Sequence, residues 1–120
     1  MKDELEAVVT QWKAAGDAWI EAKLKADQLE EDAKNLLAAV INQLEDGLPA
    51  GIKISETKLE RQARGSLEYR EYIRGMCAAR ADALRKKVRF DALEKLFEAK
   101  RSKRAFERET VKQGIFHTGG

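Results

Sequence analysis

The chain has 120 residues, 37% of them charged and only one a proline, with a formal net charge of +2. That composition describes a single domain of long solvated helices rather than a globule with a thick core. It excludes a transmembrane protein, because the longest purely apolar run, Leu36 to Ile41, is far too short to cross a bilayer. With no charged start leading into an apolar stretch, a soluble cytoplasmic protein is expected, and the lone Cys77 accords with a reducing compartment.

The near-neutral total hides a segregation of charge. Residues 1–60 hold 7 Lys, no Arg and 13 acidic residues, a net −6, whereas residues 61–120 hold 6 Lys, 10 Arg and 8 acidic residues, a net +8. A basic half of this kind is a candidate site for an anionic partner.

Asp3 followed by Glu6 has capping-box spacing and starts a helix near residue 4. Gly47 and Pro49 stop it, so helix one spans about 4–46 and about 63 Å. Its apolar period is seven: Leu5, Trp12, Trp19, Ala26, Ala33 and Val40 recur as one row, with Val8, Ala15, Ala22, Leu29 and Leu36 three residues on. This is a coiled-coil seam that alternates bulky with very small side chains, so its partner surface is non-identical. The second helix of the same chain is the natural candidate. Residues 47–55 form the turn, in which Ile52-Lys53-Ile54 is too short to be a strand.

A short helix, about 56–64, begins at Ser55 or at the Thr57–Glu60 capping box, and Gly65-Ser66 marks a kink with Ser66 as a new N-cap. A long helix follows over about 67–112 and ends at Gln113-Gly114, leaving a flexible tail, 113–120. Tyr69, Ile73, Met76, Cys77, Ala83, Leu84 and Val88 are expected to cover the seam of helix one. Phe90, Leu93, Leu96 and Phe97 then spread over more of the circumference than one partner helix buries, which predicts an oligomer interface. The fold class is therefore all-α, a long antiparallel helical hairpin assembled into a homo-oligomeric bundle.

Nothing points to catalysis, a cofactor or a small-molecule substrate. His117 is the only histidine and has no triad partner at a usable spacing. The Glu30-Glu31-Asp32 run is spread around a helix instead of converging on a metal, and no Gly-rich phosphate loop exists. Trp12 and Trp19 belong to the seam, and Cys77 reads as a small packing residue.

One constellation stands out. Lys86, Arg89, Leu93, Phe97, Lys100 and Arg104 follow gaps of three and four and form one helical stripe, expected to point away from the Ile73/Leu84 face. Arg85 and Lys103 border it on one side, Arg101 and Arg108 on the other. Such a ridge neutralises phosphates while its Phe offers a base a stacking surface, so these residues are a candidate single-stranded DNA face. The competing reading makes Leu93 and Phe97 a self-contact whose rim charges pair with acidic residues of helix one.

The segment Ala78–Ser102, AARADALRKKVRFDALEKLFEAKRS, resembles small helical phage and prophage proteins. Some of these are similar in size and helical character to phage recombination mediators, which load a recombinase onto single-stranded DNA as oligomers. The resemblance implies a phage origin first and a mediator function second; together with the absence of a catalytic constellation, the expectation is a non-enzymatic accessory protein associated with single-stranded DNA. Two other classes remain open: a phage inhibitor whose acidic helix one engages a host defence or nuclease complex, and a structural coiled-coil scaffold or assembly chaperone.

Overall fold

A computed structural model describes residues 3–118, with side chains described for residues 3–112. The described residues are all helical, without a strand: α1 (Glu4–Asp46), α2 (Glu56–Arg64) and α3 (Leu67–Thr118). The chain divides into two compact units, one formed by residues up to Trp19 together with those from Arg85 onward, the other by Ile20–Leu84.

The Ile20–Leu84 unit holds the turn. After Asp46 the chain leaves α1 with Gly47 N–H still bonded to the Gln43 carbonyl at 3.0 Å. Gly51 then takes φ +84°, a conformation that only glycine adopts without strain, and the connector reaches Ser55. Ser55, not Thr57, caps α2: its Oγ accepts from Lys58 N–H at 3.3 Å. Ser66 opens α3, donating to the Ala63 carbonyl at 2.7 Å and accepting from Tyr69 N–H at 3.3 Å. Between these caps lie the two best-buried side chains, Leu59 at 3% and Ala63 at 0% exposure. Elsewhere in this unit Ala22, Ala26, Ala33, Val40, Met76 and Ala83 are buried, so its core is built largely of alanine. Tyr72 Oη donates to the Leu29 carbonyl at 2.9 Å, and Arg80 bridges Glu30 at 2.6 Å.

In the other unit α1 and α3 run antiparallel, with Asp3 beside Arg104 at one end and Trp19 beside Lys87 at the other. Val8 and Ala15 are buried between them. Four rings form a ladder. Phe97 stacks on Trp12 at 5.3 Å between centroids, Trp12 meets Phe90 at 6.0 Å, and Phe90 stacks on Trp19 at 5.5 Å. Gly16 provides the recess, since a Cβ there would lie 3.0 Å from the Phe90 ring.

The α1 seam stands as the heptad pattern implied: each of its eleven residues is buried or half-buried. The face assigned to α3 requires correction. Leu84 and Val88 are 65% and 68% exposed and Cys77 is exposed. The inward row is instead Tyr69, Tyr72, Met76, Ala79, Ala83, Lys86, Phe90, Leu93, Phe97, Lys100 and Arg104, a strict alternation of gaps that includes three cations. Four stacked aromatic rings remove more apolar surface from water than Leu84 and Val88 can, and they set the rotation of the helix. α3 also runs on to Thr118, through the expected break at Gln113-Gly114 and through most of the expected flexible tail. A lone helical glycine costs only about 1 kcal/mol, and no proline follows to enforce a stop. Residues 119–120 lie outside the described residues.

Candidate nucleic-acid interface

The rotation of α3 redistributes the basic stripe. Lys86, Phe97, Lys100 and Arg104 are half-buried, and the expectation that they point away from the packed face does not hold. Phe97 is engaged by Trp12. Arg104 makes a bidentate contact to Asp3, 2.7 Å and 2.6 Å to the two carboxylate oxygens, and Lys100 bridges Glu4. The competing reading also expected pairing with acidic residues of helix one, there at the rim of a self-contact; here the pairs lie within one chain. The hydrogen bonds from Arg104 and Lys100 hold the Asp3 and Glu4 carboxyls below their ordinary values, and Asp3 in turn pushes the Arg104 guanidinium up. Lys87 sits 5.7 Å over the Trp19 ring, closing the ladder with a cation on an aromatic face.

The oligomer residues redistribute in the same way. Phe90 and Phe97 are spent on the tryptophans of their own chain and Leu93 is half-buried. Only Leu96, at 42% exposure, faces solvent. The apolar surplus expected past residue 88 is thus mostly absorbed within the chain.

What remains outside is an ordered ridge. Arg85, Arg89, Ala92, Leu96, Ala99, Lys103 and Phe106 follow gaps of four and three, and all seven are exposed. At 1.5 Å per residue they span about 31 Å. Among the described residues, Arg85 and Arg89 take part in no ion pair. Arg101 and Arg108 lie on the opposite flank of the packed row and are likewise exposed. Phe106 is 71% exposed. It escaped the sequence reading because Phe97 occupies a better periodic position; the available signal was its place three residues after Lys103 on the bordering row. Between Arg85 and Lys112 α3 carries eleven basic and five acidic residues, so this stretch of the helix is net positive.

The chemistry open to this surface is electrostatic and stacking. Among the described residues no group of three or more His, Cys, Asp or Glu side chains converges to hold a metal, and no helix is long and apolar enough to cross a membrane. One polar atom is left over inside: Trp12 Nε1 is buried without a hydrogen-bond partner. The His117 side chain lies outside the described ones. No protein-family model, curated protein or solved structure matches this chain.

Proposed function

We propose that this is a non-enzymatic, self-associating accessory protein of phage type that binds single-stranded DNA along the outer ridge of α3, in the manner of a recombination mediator. The observation that carries the reading is the exposed ridge from Arg85 to Phe106, where Arg85 and Arg89 stand at one end, Lys103 and the exposed Phe106 ring at the other, with Ala92, Leu96 and Ala99 between. Cations on one face neutralise phosphates without reading sequence, and a solvent-facing phenyl stacks on any base. Lys100 and Arg104, assigned to DNA on sequence grounds, hold α1 to α3 in this proposal, and Phe97 belongs to the ring ladder.

The test is fluorescence anisotropy of labelled single strands across a salt series. Reversing Arg85, Arg89 and Lys103 together removes about 2 from the log–log salt slope, at about 0.7 per phosphate contact. Phe106→Ala weakens each stacked complex by about 1 to 3 kcal/mol with the slope unchanged. An unchanged slope in the triple variant overturns the ridge as the phosphate face. Absence of wild-type binding at low salt overturns the DNA function, and the arginines then serve protein contacts. A second reading, an inhibitor engaging a basic host protein, is favoured by the exposed carboxylates of α1, Glu21, Asp27, Glu30 and Glu31; tight co-purification with one host protein that survives nuclease treatment selects it.

A further inference from the structure

Within the Ile20–Leu84 unit two ridges point outward, one on each long helix. On α1 the ridge reads Ile20, Leu24, Asp27, Glu31, with gaps of four, three and four, and every member is exposed; Ile20 and Leu24 stand at 53% and 63%. On α3 it reads Arg70, Arg74, Cys77, Ala81, with the same gaps, continued one turn on by the exposed Leu84. Arg70, Arg74 and Cys77 are exposed and Ala81 half-exposed, and a shallow groove beside Tyr69 and Ile73 runs along the two arginines. Both ridges lie outside the packed rows of their helices, which turn Ala22, Ala26, Met76 and Ala83 toward the core.

Laid antiparallel, the two ridges are complementary position by position. Ile20 falls opposite Ala81, Leu24 opposite Cys77, Asp27 opposite Arg74 and Glu31 opposite Arg70. The alternatives fail on the same residues. A parallel apposition sets Ile20 against Arg70. Two α1 ridges set antiparallel place Ile20 on Glu31, and two α3 ridges place Arg70 on Ala81. The carboxylates are held only by exposed neighbours on their own helix, Asp27 by Lys23 at 3.6 Å and Glu31 by Lys34 at 3.2 Å. Pairs of that kind are worth about 0 to 1 kcal/mol and yield readily to a better partner.

Resting on the self-associating character proposed above, we propose that the occupant of each ridge is a second copy of this chain, the α1 ridge of one copy docking antiparallel on the α3 ridge of the next. The contact is heterologous, because each copy offers two different surfaces, and it therefore propagates into a closed ring or an open filament. Its extent, three helical turns, is at the small end of protein interfaces, so each contact is weak and salt-sensitive and an array depends on repetition.

Sedimentation velocity at micromolar concentration and low salt, without nucleic acid, reads the outcome. Asp27→Arg with Glu31→Arg, and separately Arg70→Glu with Arg74→Glu, should each weaken self-association at least tenfold, because each leaves like charges facing. Mixing the two variants, or combining all four substitutions in one chain, should restore it. Cysteine chemistry fixes the register: with Leu24→Cys, Cys77→Ala protein mixed with wild type, mild oxidation should join Cys77 of one copy to the thiol introduced at position 24 of another. A monomeric wild type, single-ridge variants that associate like wild type, or a mixture that fails to regain assembly overturns the proposal. None of these substitutions touches the ridge from Arg85 to Phe106, so loss of the DNA function and loss of this contact are separately visible.

Discussion

Gly16→Ala should destabilise the protein, against the ordinary rule for helices. At an open helical site the added methyl is worth about 1 kcal/mol in helix propensity. Here the new Cβ would lie 3.0 Å from Phe90 Cε2 and 3.3 Å from Cδ2. The ring cannot step aside, since Trp12 and Trp19 flank it at 6.0 Å and 5.5 Å. Overpacking of a fixed site costs about 1 to 3 kcal/mol, which exceeds the propensity gain and leaves a net loss of about 1 kcal/mol. Gly75, where nothing lies within 4 Å of an added Cβ, is the internal control, and Gly75→Ala should stabilise by about 1 kcal/mol. Urea denaturation followed by circular dichroism at one fixed protein concentration measures both. In a Phe90→Leu background the sign at position 16 should invert, giving a coupling of about 2 kcal/mol in the double-mutant cycle. If Gly16→Ala stabilises the wild type as much as Gly75→Ala does, the ladder does not close over Gly16 and the packing described for this unit is wrong.

Tyr72→Phe removes the hydrogen bond to the Leu29 carbonyl, which α1 also uses in its own ladder, so the loss should be about 0.5 to 1 kcal/mol by the same urea titration; no loss would mean that the phenol prefers water. Asp3 and Glu4 have depressed values, so their pairing contributes at neutral pH and is lost as the pH falls through and below the ordinary carboxylate range near about 4. Melting temperature against pH should therefore drop less steeply on the acid side in Arg104→Gln than in wild type, and parallel curves would refute the linkage. Lys100→Leu with Arg104→Leu should leave thermal stability unchanged or raised, because exposed pairs contribute little, while light scattering reports larger, concentration-dependent assemblies; a clear fall in melting temperature would show that the ion pairs hold net stability.

The heptad of α1 was legible because its apolar residues are the packed ones, from Leu5 to Val40. The element bounds from the end of α1 to the start of α3 were legible too, to within a residue or two, because Gly47, Pro49, Ser55, Gly65 and Ser66 act locally. The inward row of α3 was not. Hydropathy ranks Leu84 and Val88 above Lys86, and a seam holding Lys86, Lys100 and Arg104 looks like a solvated face until its neighbours are known. For Lys100 and Arg104 the neighbours are Glu4 and Asp3 at the start of α1, far away in sequence. The end of α3 was misjudged for a different reason: Gly114 signals a stop only when something beyond it makes helix unfavourable.

The same residues explain why the candidate DNA face moved by one flank without losing its chemistry. A helix has a fixed number of rows, and once the rings of Phe90 and Phe97 claim the inner one, cations in that row are drawn to whatever acids face them. Arg104 and Lys100 meet Asp3 and Glu4. In the adjoining row Arg85 and Arg89 are exposed, and Lys103, also exposed, lies close enough to Glu4 to help hold its carboxyl down; the three follow one ridge with Phe106 at its end. The arginines of the second half of the chain thus fall into two kinds of row, one packed and one exposed. Every seventh position, Phe90, Phe97 and Arg104, packs α3 against α1, while the row beside it keeps Arg85, Arg89 and Lys103 in water.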